Sequence, residues 1–163
     1  MLVLQGFGAR GVLMEISEIL SLEAVMANLK AVSKKQLLKE LAAVAAAETG
    51  VHEKKIFDVL LERERLGSTG VGKGIAIPHG KLGDIKRLYG VFARLPAAVD
   101  FESIDEQPVD LTFLLLAPHT AGADHLKALA RISRLLRDEE ACRQLRGSES
   151  AEALYALLTG NIE

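Results

Sequence analysis

The sequence has one cysteine, Cys142, and no tryptophan among its 163 residues. A single thiol excludes an internal disulfide or a cysteine-built zinc site and is typical of a reducing compartment. Aromatic residues make up only 4% of the chain, too few for the stacking platforms that bind single-stranded nucleic acid. Twenty basic and 22 acidic residues give a formal charge of −2, so the chain lacks the basic excess of a general nucleic-acid-binding protein.

Long hydrophobic runs are also absent, since no stretch approaches the roughly 20 apolar residues that span a bilayer. Hydrophobic residues nevertheless make up 49% of the chain and charged residues 26%, a balance typical of a protein with a buried core. We therefore expect one cytoplasmic domain at residues 14–163 that is not embedded in a membrane. Residues 1–13 carry three glycines without periodicity, and we interpret them as an extension, with Met14 as an alternative start.

Helix and strand patterns alternate along the domain. Ser33 and Gln36 form a capping box before an apolar series at helical spacing that ends at Gly50. Further helices are predicted at 52–66, 125–136, 138–146 and 150–158, and strands at 75–77, 89–95 and 109–117, with a weaker strand within 16–29. The strand at 109–117 is almost continuously apolar and should be central. The pattern predicts an α/β domain with a mixed central sheet of about five strands, flanked by helices on both faces.

A glycine-rich segment, GSTGVGKGIAIPHGKLG at 67–83, contains six glycines. Gly67, Gly72 and Lys73 have the spacing of a nucleotide-binding P-loop, but Gly74 stands where a serine or threonine would hold Mg²⁺. The segment also follows a helix rather than a strand, and the dinucleotide spacing G-x-G-x-x-G is absent. We therefore expect no nucleotide cofactor.

His79 is the first candidate for chemistry within this segment. Pro78 restricts the backbone on one side and Gly80 leaves the other side open, while the nearby glycines expose backbone N–H groups. A rigid, accessible histidine beside such groups is suited to hold or exchange a phosphoryl group. The alternative, from the residues alone, is a surface histidine in a hairpin turn, with 75–77 as the strand and His79 and Gly80 as the turn.

His125 is the second candidate. It lies in the first turn of a predicted helix, after the apolar strand, where free N–H groups and the helix dipole favour an anion. The alternative is a semi-buried histidine that supports the helix cap. His119 is a weaker candidate and His52 is interpreted as structural. The histidines match no compact metal-binding spacing, so no metal is expected, and Cys142 is interpreted as a buried apolar residue.

Several segments together resemble a known family: LLERERL, GSTGVGKGIAIPHGKL, PVDLTFLLLAP and HLKALARISRLLRD. They are similar to the enzyme IIA domain of the fructose/mannitol class of the phosphoenolpyruvate-dependent phosphotransferase system. Within that class the sequence most resembles the stand-alone nitrogen-regulatory branch, over residues 14–163. The resemblance implies a carrier without a cofactor that takes a phosphoryl group from an HPr-like phosphocarrier and regulates protein targets such as potassium transporters or sensor kinases.

The resemblance also implies roles for individual residues. His79 would be phosphorylated, His125 would contact the phosphoryl oxygens, and Arg63 would offset their charge. The loop residues implied to line the phosphate pocket are Ser68, Thr69 and Gly70. Lys73 stands where the family often has asparagine, and we expect it to join Arg63 and Lys81 in a cationic set around His79.

Two other functions remain open at this point. A sugar-transport IIA component would pass its phosphoryl group to a fructose- or mannitol-type IIB domain. A pure interaction module would retain only a vestigial site, which the joint presence of His79, His125 and Arg63 disfavours.

Overall fold

The computed structural model describes residues 14–160, which contain one mixed sheet of six strands. The strands are β1 (Val25–Met26), β2 (Gly70–Gly72), β3 (Ile75–Ala76), β4 (His79–Leu82), β5 (Tyr89–Val99) and β6 (Val109–Pro118). The helices are α1 (Lys34–Thr49), α2 (Glu53–Arg65), α3 (Ala123–Arg137), α4 (Glu139–Arg146) and α5 (Ala151–Thr159), with short 3₁₀ turns at Ile16–Glu18 and Leu22–Ala24. The predicted α/β class is confirmed. The extension proposed for residues 1–13 lies outside the described residues.

Strand β6 is the centre of the sheet, as its apolar sequence predicts. It pairs with β5 in antiparallel fashion on one edge and with β3 and β4 in parallel on the other. All of its residues except Asp110 are buried, so both faces of the sheet are covered by other elements. The remaining pairs, β1 with β5 and β2 with β3, extend the sheet outwards.

The helix boundaries follow the capping residues. The Ser33 hydroxyl accepts a hydrogen bond from the Gln36 N–H at 3.1 Å, and α1 ends at Gly50 in the left-handed conformation at φ 79°. His52 caps α2 by accepting from the Lys54 N–H, which agrees with its structural interpretation. Among residues 14–160, no helix has both the length and the apolar character needed to cross a membrane.

The predicted turn at His79 and Gly80 is wrong, because both residues belong to strand β4. His79 pairs with Leu115 of β6 and β4 runs parallel to it as far as Pro118. The short strand β3 pairs with the same edge of β6 further back, so Pro78 lies between two short strands that share this edge. Proline lacks an N–H, but its carbonyl accepts from the Leu115 N–H at 2.9 Å. This long-range pairing has no local signal in a glycine-rich sequence.

Gly80 allows helix α2 to pack directly on β4. A Cβ atom at this position would lie 2.6 Å from Cγ1 of Val59. Valine is branched at Cβ and has few alternative rotamers in a helix, so its side chain cannot easily turn away. The absence of a side chain at Gly80 therefore sets the distance between α2 and the strand that carries His79.

Replacing Gly80 with alanine is expected to lower the free energy of unfolding by about 1–3 kcal/mol, because the added methyl group overpacks the Val59 contact. The urea concentration at the midpoint of unfolding measures this effect.

Gly147→Ala is the matched control. A Cβ at Gly147 has the Arg143 carbonyl oxygen as its nearest atom, at an ordinary 3.6 Å, so its stability should change by no more than about 0.5 kcal/mol. Equal midpoints for the two variants would contradict the tight packing at Gly80.

Candidate functional site

Three elements meet at one cleft: the end of α2, the start of β4 and the first turn of α3. Because β4 runs parallel to β6, His79 lies beside Leu115, close to the point where β6 ends. The chain then continues into α3, whose third residue is His125. The cleft has a volume of about 430 Å³ and is lined by Val59, Glu62, Arg63, Leu66, His79, Gly80, Lys81 and His125.

The hydrogen bond of the His79 ring defines which of its nitrogens can react. Its Nδ1 lies 2.8 Å from the carbonyl oxygen of Ile77. A carbonyl oxygen only accepts hydrogen bonds, so Nδ1 carries the proton and donates it. In the neutral ring the other nitrogen, Nε2, then has the free lone pair. His79 is thus held as the tautomer whose Nε2 is nucleophilic.

His125 lies next to this ring. The two ring centroids are 5.8 Å apart, with their planes inclined at 63°. The His125 residue is only 9% exposed, and its Nε2 is buried without a hydrogen-bond partner among the described residues. A buried polar nitrogen left unpaired costs free energy. Among the described residues, nothing satisfies this nitrogen.

The surroundings keep both imidazoles neutral near pH 7. Burial lowers the pKa of His79; the Ile77 hydrogen bond opposes that shift, and the positive charge of Arg63 lowers the pKa further. Burial also lowers the pKa of His125, with smaller contributions from His79 and Lys81. Desolvation disfavours the charged form of a histidine. The cleft therefore contains neutral imidazoles beside two cations, Arg63 and Lys81, and one carboxylate, Glu62.

Arg63 is fixed at the end of α2. Its Nη1 donates to the Gly67 carbonyl oxygen at 2.9 Å, and the side chain lines the cleft. Lys81 lines the cleft from β4 and is exposed. The two cations flank His79 from different elements, which suits a ligand with several negative oxygens.

Ser68, Thr69 and Gly70 are not among the residues that line this cleft. The Ser68 hydroxyl accepts from the Gly70 N–H at 3.0 Å. The Thr69 N–H and hydroxyl both donate to the carboxylate of Glu64, with the N–H at 3.1 Å. The Gly70 N–H is thus paired within the loop and the Thr69 groups are paired with Glu64 on α2. The predicted contact of these residues with phosphate stays a prediction.

Glu64 was missed by the sequence reasoning. It is 8% exposed and forms an ion pair with Lys34 at 2.9 Å. The available signal was its spacing, because Ile56, Leu60 and Glu64 recur every four residues on the buried face of α2. A charged residue on a buried face requires partners, and here they lie on α1 and in the glycine-rich loop.

The expectation that Lys73 lies near His79 is wrong. Lys73 occupies the β2–β3 turn at φ 58°, and its Nζ is 3.6 Å from the Glu139 carboxylate on α4. The neighbouring Gly74 carbonyl accepts from the Asp110 N–H at the start of β6, whereas His79 pairs with Leu115. Asp110 and Leu115 are five residues apart along the strand, which corresponds to about 16 Å. The cations at the site are therefore Arg63 and Lys81.

The other singled-out residues lie elsewhere. His119 is exposed beside Gly83 and does not line the cleft. Cys142 is buried in α4, its thiol contacts the Leu136 carbonyl at 3.2 Å, and burial raises its pKa. A buried thiol with a raised pKa is a poor nucleophile, which agrees with the interpretation of Cys142 as a packing residue.

The chain is similar to known proteins over most of its length. Residues 18–161 match a family model described as "Phosphoenolpyruvate-dependent sugar phosphotransferase system, EIIA 2". The nitrogen regulatory protein of Bradyrhizobium diazoefficiens is 58% identical over 89% of this chain and 95% of its own length. A fructose-specific EIIA component of Haloferax volcanii is 33% identical over 91% of this chain and 97% of its own.

A solved structure is similar over nearly its whole length. The crystal structure of nitrogen regulatory protein IIA-Ntr from Neisseria meningitidis has a TM-score of 0.84 and 36% sequence identity, and the match covers 88% of this chain and 99% of that one. This likeness supports the arrangement of one mixed sheet with five helices described above.

The free energy of unfolding is expected to fall as the pH drops below about 6.5, because the unfolded histidines titrate near that value while the pKa values of His79 and His125 are lowered in the folded protein. The unfolded chain then binds more protons in acid. Their contribution to stability is fully present above about pH 6.5 and is lost as the pH falls through the folded pKa values. Urea unfolding at a series of pH values measures the loss.

A variant with both His79 and His125 replaced by glutamine is expected to lose less stability over the same pH interval. An equally steep decline in that variant would assign the acid sensitivity to other groups. Arg63→Gln gives a second measure in NMR titration, since removing this cation should raise the pKa of His79.

Proposed function

Since the chain belongs to the EIIA 2 family of the phosphoenolpyruvate-dependent sugar phosphotransferase system, we propose that it is a phosphohistidine carrier of the nitrogen-related branch. Nε2 of His79 receives a phosphoryl group from an HPr-like phosphocarrier. The phosphorylated and unphosphorylated forms then regulate protein targets, such as potassium transporters or sensor kinases, by binding them differently.

One observation carries this proposal: the Ile77 carbonyl holds the proton of His79 on Nδ1. The lone pair of Nε2 attacks the phosphorus of the donor phosphohistidine. A new N–P bond forms on His79 as the donor's N–P bond breaks, and that electron pair stays on the donor ring nitrogen. The donor is already an activated phosphoramidate, so the reaction depends mainly on in-line positioning and charge neutralisation.

The other residues of the cleft stabilise the transferred group. Nε2 of His125, buried and unpaired among residues 14–160, donates a hydrogen bond to a phosphoryl oxygen when it carries the proton. Arg63 and Lys81 offset the negative charge of the same group. Both imidazoles are neutral at pH 7, so His79 keeps its nucleophilic lone pair despite the neighbouring cations.

The rim of the cleft supplies an apolar docking surface. Leu66 is 82% exposed at the end of α2, and Leu126, next to His125 on α3, is 69% exposed. Exposed leucines beside a binding cleft are typical of a surface that another protein covers for part of the time. Docking there also excludes water from the transferred phosphoryl group.

A second candidate is a sugar-transport component that hands its phosphoryl group to a IIB domain. It is favoured by the similarity to the fructose-specific EIIA component of Haloferax volcanii. The greater identity to a nitrogen regulatory protein supports the regulatory function. Mixing the phosphorylated protein with fructose- and mannitol-type IIB domains tests the choice, because phosphoryl transfer to either would favour the second candidate.

Phosphorylation is expected to occur on His79 alone. Incubation with phosphoenolpyruvate, the general enzyme of the system and its HPr-like carrier should yield an acid-labile phosphate, and NMR should place it on Nε2. His79→Ala should accept none. His125→Ala should fold normally but react about 100-fold more slowly, the effect of losing one donor to the transition state.

His119→Gln is the control, because this histidine lies outside the cleft, and it should react at the normal rate. Labelling that persists in His79→Ala would refute the assignment. An unchanged rate in His125→Ala would leave His125 with only a structural role.

The docking surface gives a separate prediction. Replacing Leu66 and Leu126 together with glutamate should raise the KM for the phosphocarrier at least tenfold, since burying a leucine contributes about 1.5–3 kcal/mol. The rate at saturating carrier should fall by a smaller factor than the KM rises, because Leu66 lines the cleft but supplies no group that takes part in the transfer. Steady-state phosphorylation at varied carrier concentration separates the two parameters.

Val32→Glu is the control, since Val32 is also an exposed apolar residue but precedes α1. An equal rise of KM in this control would mean that added charge, rather than the rim, weakens docking.

A further inference from the structure

Glu64 is a buried carboxylate one residue away from Arg63 and outside the cleft lining. Its side chain accepts from three donors: the Lys34 ammonium at 2.9 Å, the Thr69 N–H at 3.1 Å and the Thr69 hydroxyl. Lys34 itself lies over the Phe101 ring at 4.7 Å and is 16% exposed. A buried ion pair usually adds little net stability over apolar residues of the same size. Its presence here calls for a role other than stability.

The bonds of Thr69 lead from this carboxylate towards His79. While its N–H and hydroxyl bind Glu64, its carbonyl oxygen accepts from the Ile77 N–H at 2.9 Å. The Ile77 carbonyl in turn accepts the Nδ1 proton of His79. Two hydrogen bonds, one from the N–H and one to the carbonyl of Ile77, therefore connect Thr69 to the imidazole ring of His79.

Ile77 is held from its other side as well. Pro78 restricts the backbone of the residue before it, and the Pro78 carbonyl is bound by the Leu115 N–H of β6 at 2.9 Å. The direction of the Ile77 carbonyl is thus set by β6 on one side and by the Thr69 contact on the other. The β2–β3 pairing, in which Gly70 lies opposite Ala76, also holds the backbone next to Thr69. Among these contacts, those of Thr69 with Glu64 are the ones that depend on a side chain.

We propose that Glu64, paired with Lys34, is a positioning residue for His79: by clamping Thr69 it fixes the Ile77 carbonyl that keeps the imidazole proton on Nδ1. The inference rests on the proposed phosphoryl transfer to Nε2. When Nε2 forms its bond to phosphorus, the ring gains positive charge while Nδ1 still holds its proton. A carbonyl oxygen fixed 2.8 Å away stabilises that charge and prevents the ring from turning its other nitrogen outwards.

The charge of Glu64 favours a positive charge on the His79 ring, as the proposed role requires. Its negative charge raises the pKa of His79, in opposition to burial and Arg63. The other charged or titratable groups around His79 are Glu62 and Arg63 on α2, Lys81 on β4 and His125 on α3. All of these remain in place when Glu64 alone is changed, so a response of His79 can be assigned to Glu64.

The first test is Glu64→Gln, examined by ¹⁵N NMR of the histidine rings above their titration range. In the unaltered protein, Nδ1 of His79 should be the protonated nitrogen. Glutamine can accept from fewer of the three donors, so the protonated share should shift towards Nε2. Phosphorylation by the HPr-like carrier should slow by about tenfold, roughly the effect of one hydrogen bond.

A second variant separates positioning from stability. Lys34→Met with Glu64→Leu removes both buried charges together, and such replacements are often neutral or stabilising. This double variant should still unfold cooperatively, but at a lower urea concentration than the unaltered protein, because the Thr69 N–H and hydroxyl lose their acceptor. It should show the same tautomer shift and slower phosphorylation. Glu40→Gln, at an exposed position of α1, is the control for loss of one carboxylate.

The outcomes are distinct from those that test the proposed function. The tautomer measurement needs no carrier, so it reports on the role of Glu64 even if the protein accepts no phosphoryl group. Failure to accept a phosphoryl group would refute only the proposed function. An unaltered tautomer and an unaltered rate in both folded variants would overturn the role of Glu64. A slower rate with no tautomer shift would also overturn it, because the effect would then bypass the Ile77 carbonyl.

Discussion

Strand β6 is hydrogen-bonded on both edges and buried on both faces, and the candidate site depends on this one constraint. Its parallel pairing with β4 places His79 beside Leu115. Its end at Pro118 places the first turn of α3, with His125, next to that position. The ring centroids of two histidines that are far apart in the sequence therefore lie 5.8 Å apart, because one histidine is on a strand paired with β6 and the other is in the first turn of the helix that follows β6.

The chemistry of the cleft follows from how charge is distributed around it. Burial and the nearby cations favour neutral imidazoles, while the same cations suit an anionic ligand. A group that must attack an electrophile near pH 7 benefits from the first effect, and the anionic group it receives benefits from the second. The Ile77 carbonyl determines the tautomer of His79, because its hydrogen bond to Nδ1 leaves Nε2 as the free nitrogen.

The sequence allowed good predictions where the signal was local. Ser33 and Gly50 marked the two ends of α1, because capping residues act within a few positions of the helix end. The apolar run of β6 identified the centre of the sheet. The position of β4 could not be predicted, since its partner lies more than thirty positions away and its own residues resemble a turn. Lys73 was misplaced for a related reason: the β2–β3 hairpin carries it towards α4, whereas its sequence neighbourhood is that of His79. Glu64 was overlooked because its partners come from a different helix and a loop.

The missing side chain at Gly80 has a wider consequence. Because Val59 lies where a Cβ atom of Gly80 would be, α2 and β4 have no compressible layer at this point through which one could shift against the other. Modification of His79 would then leave the outline of the surface almost unaltered and change chiefly its electrostatic potential. Proteins that distinguish the modified from the unmodified form would have to recognise a difference in charge on a surface of unchanged shape. Their binding should therefore weaken as added salt screens that charge.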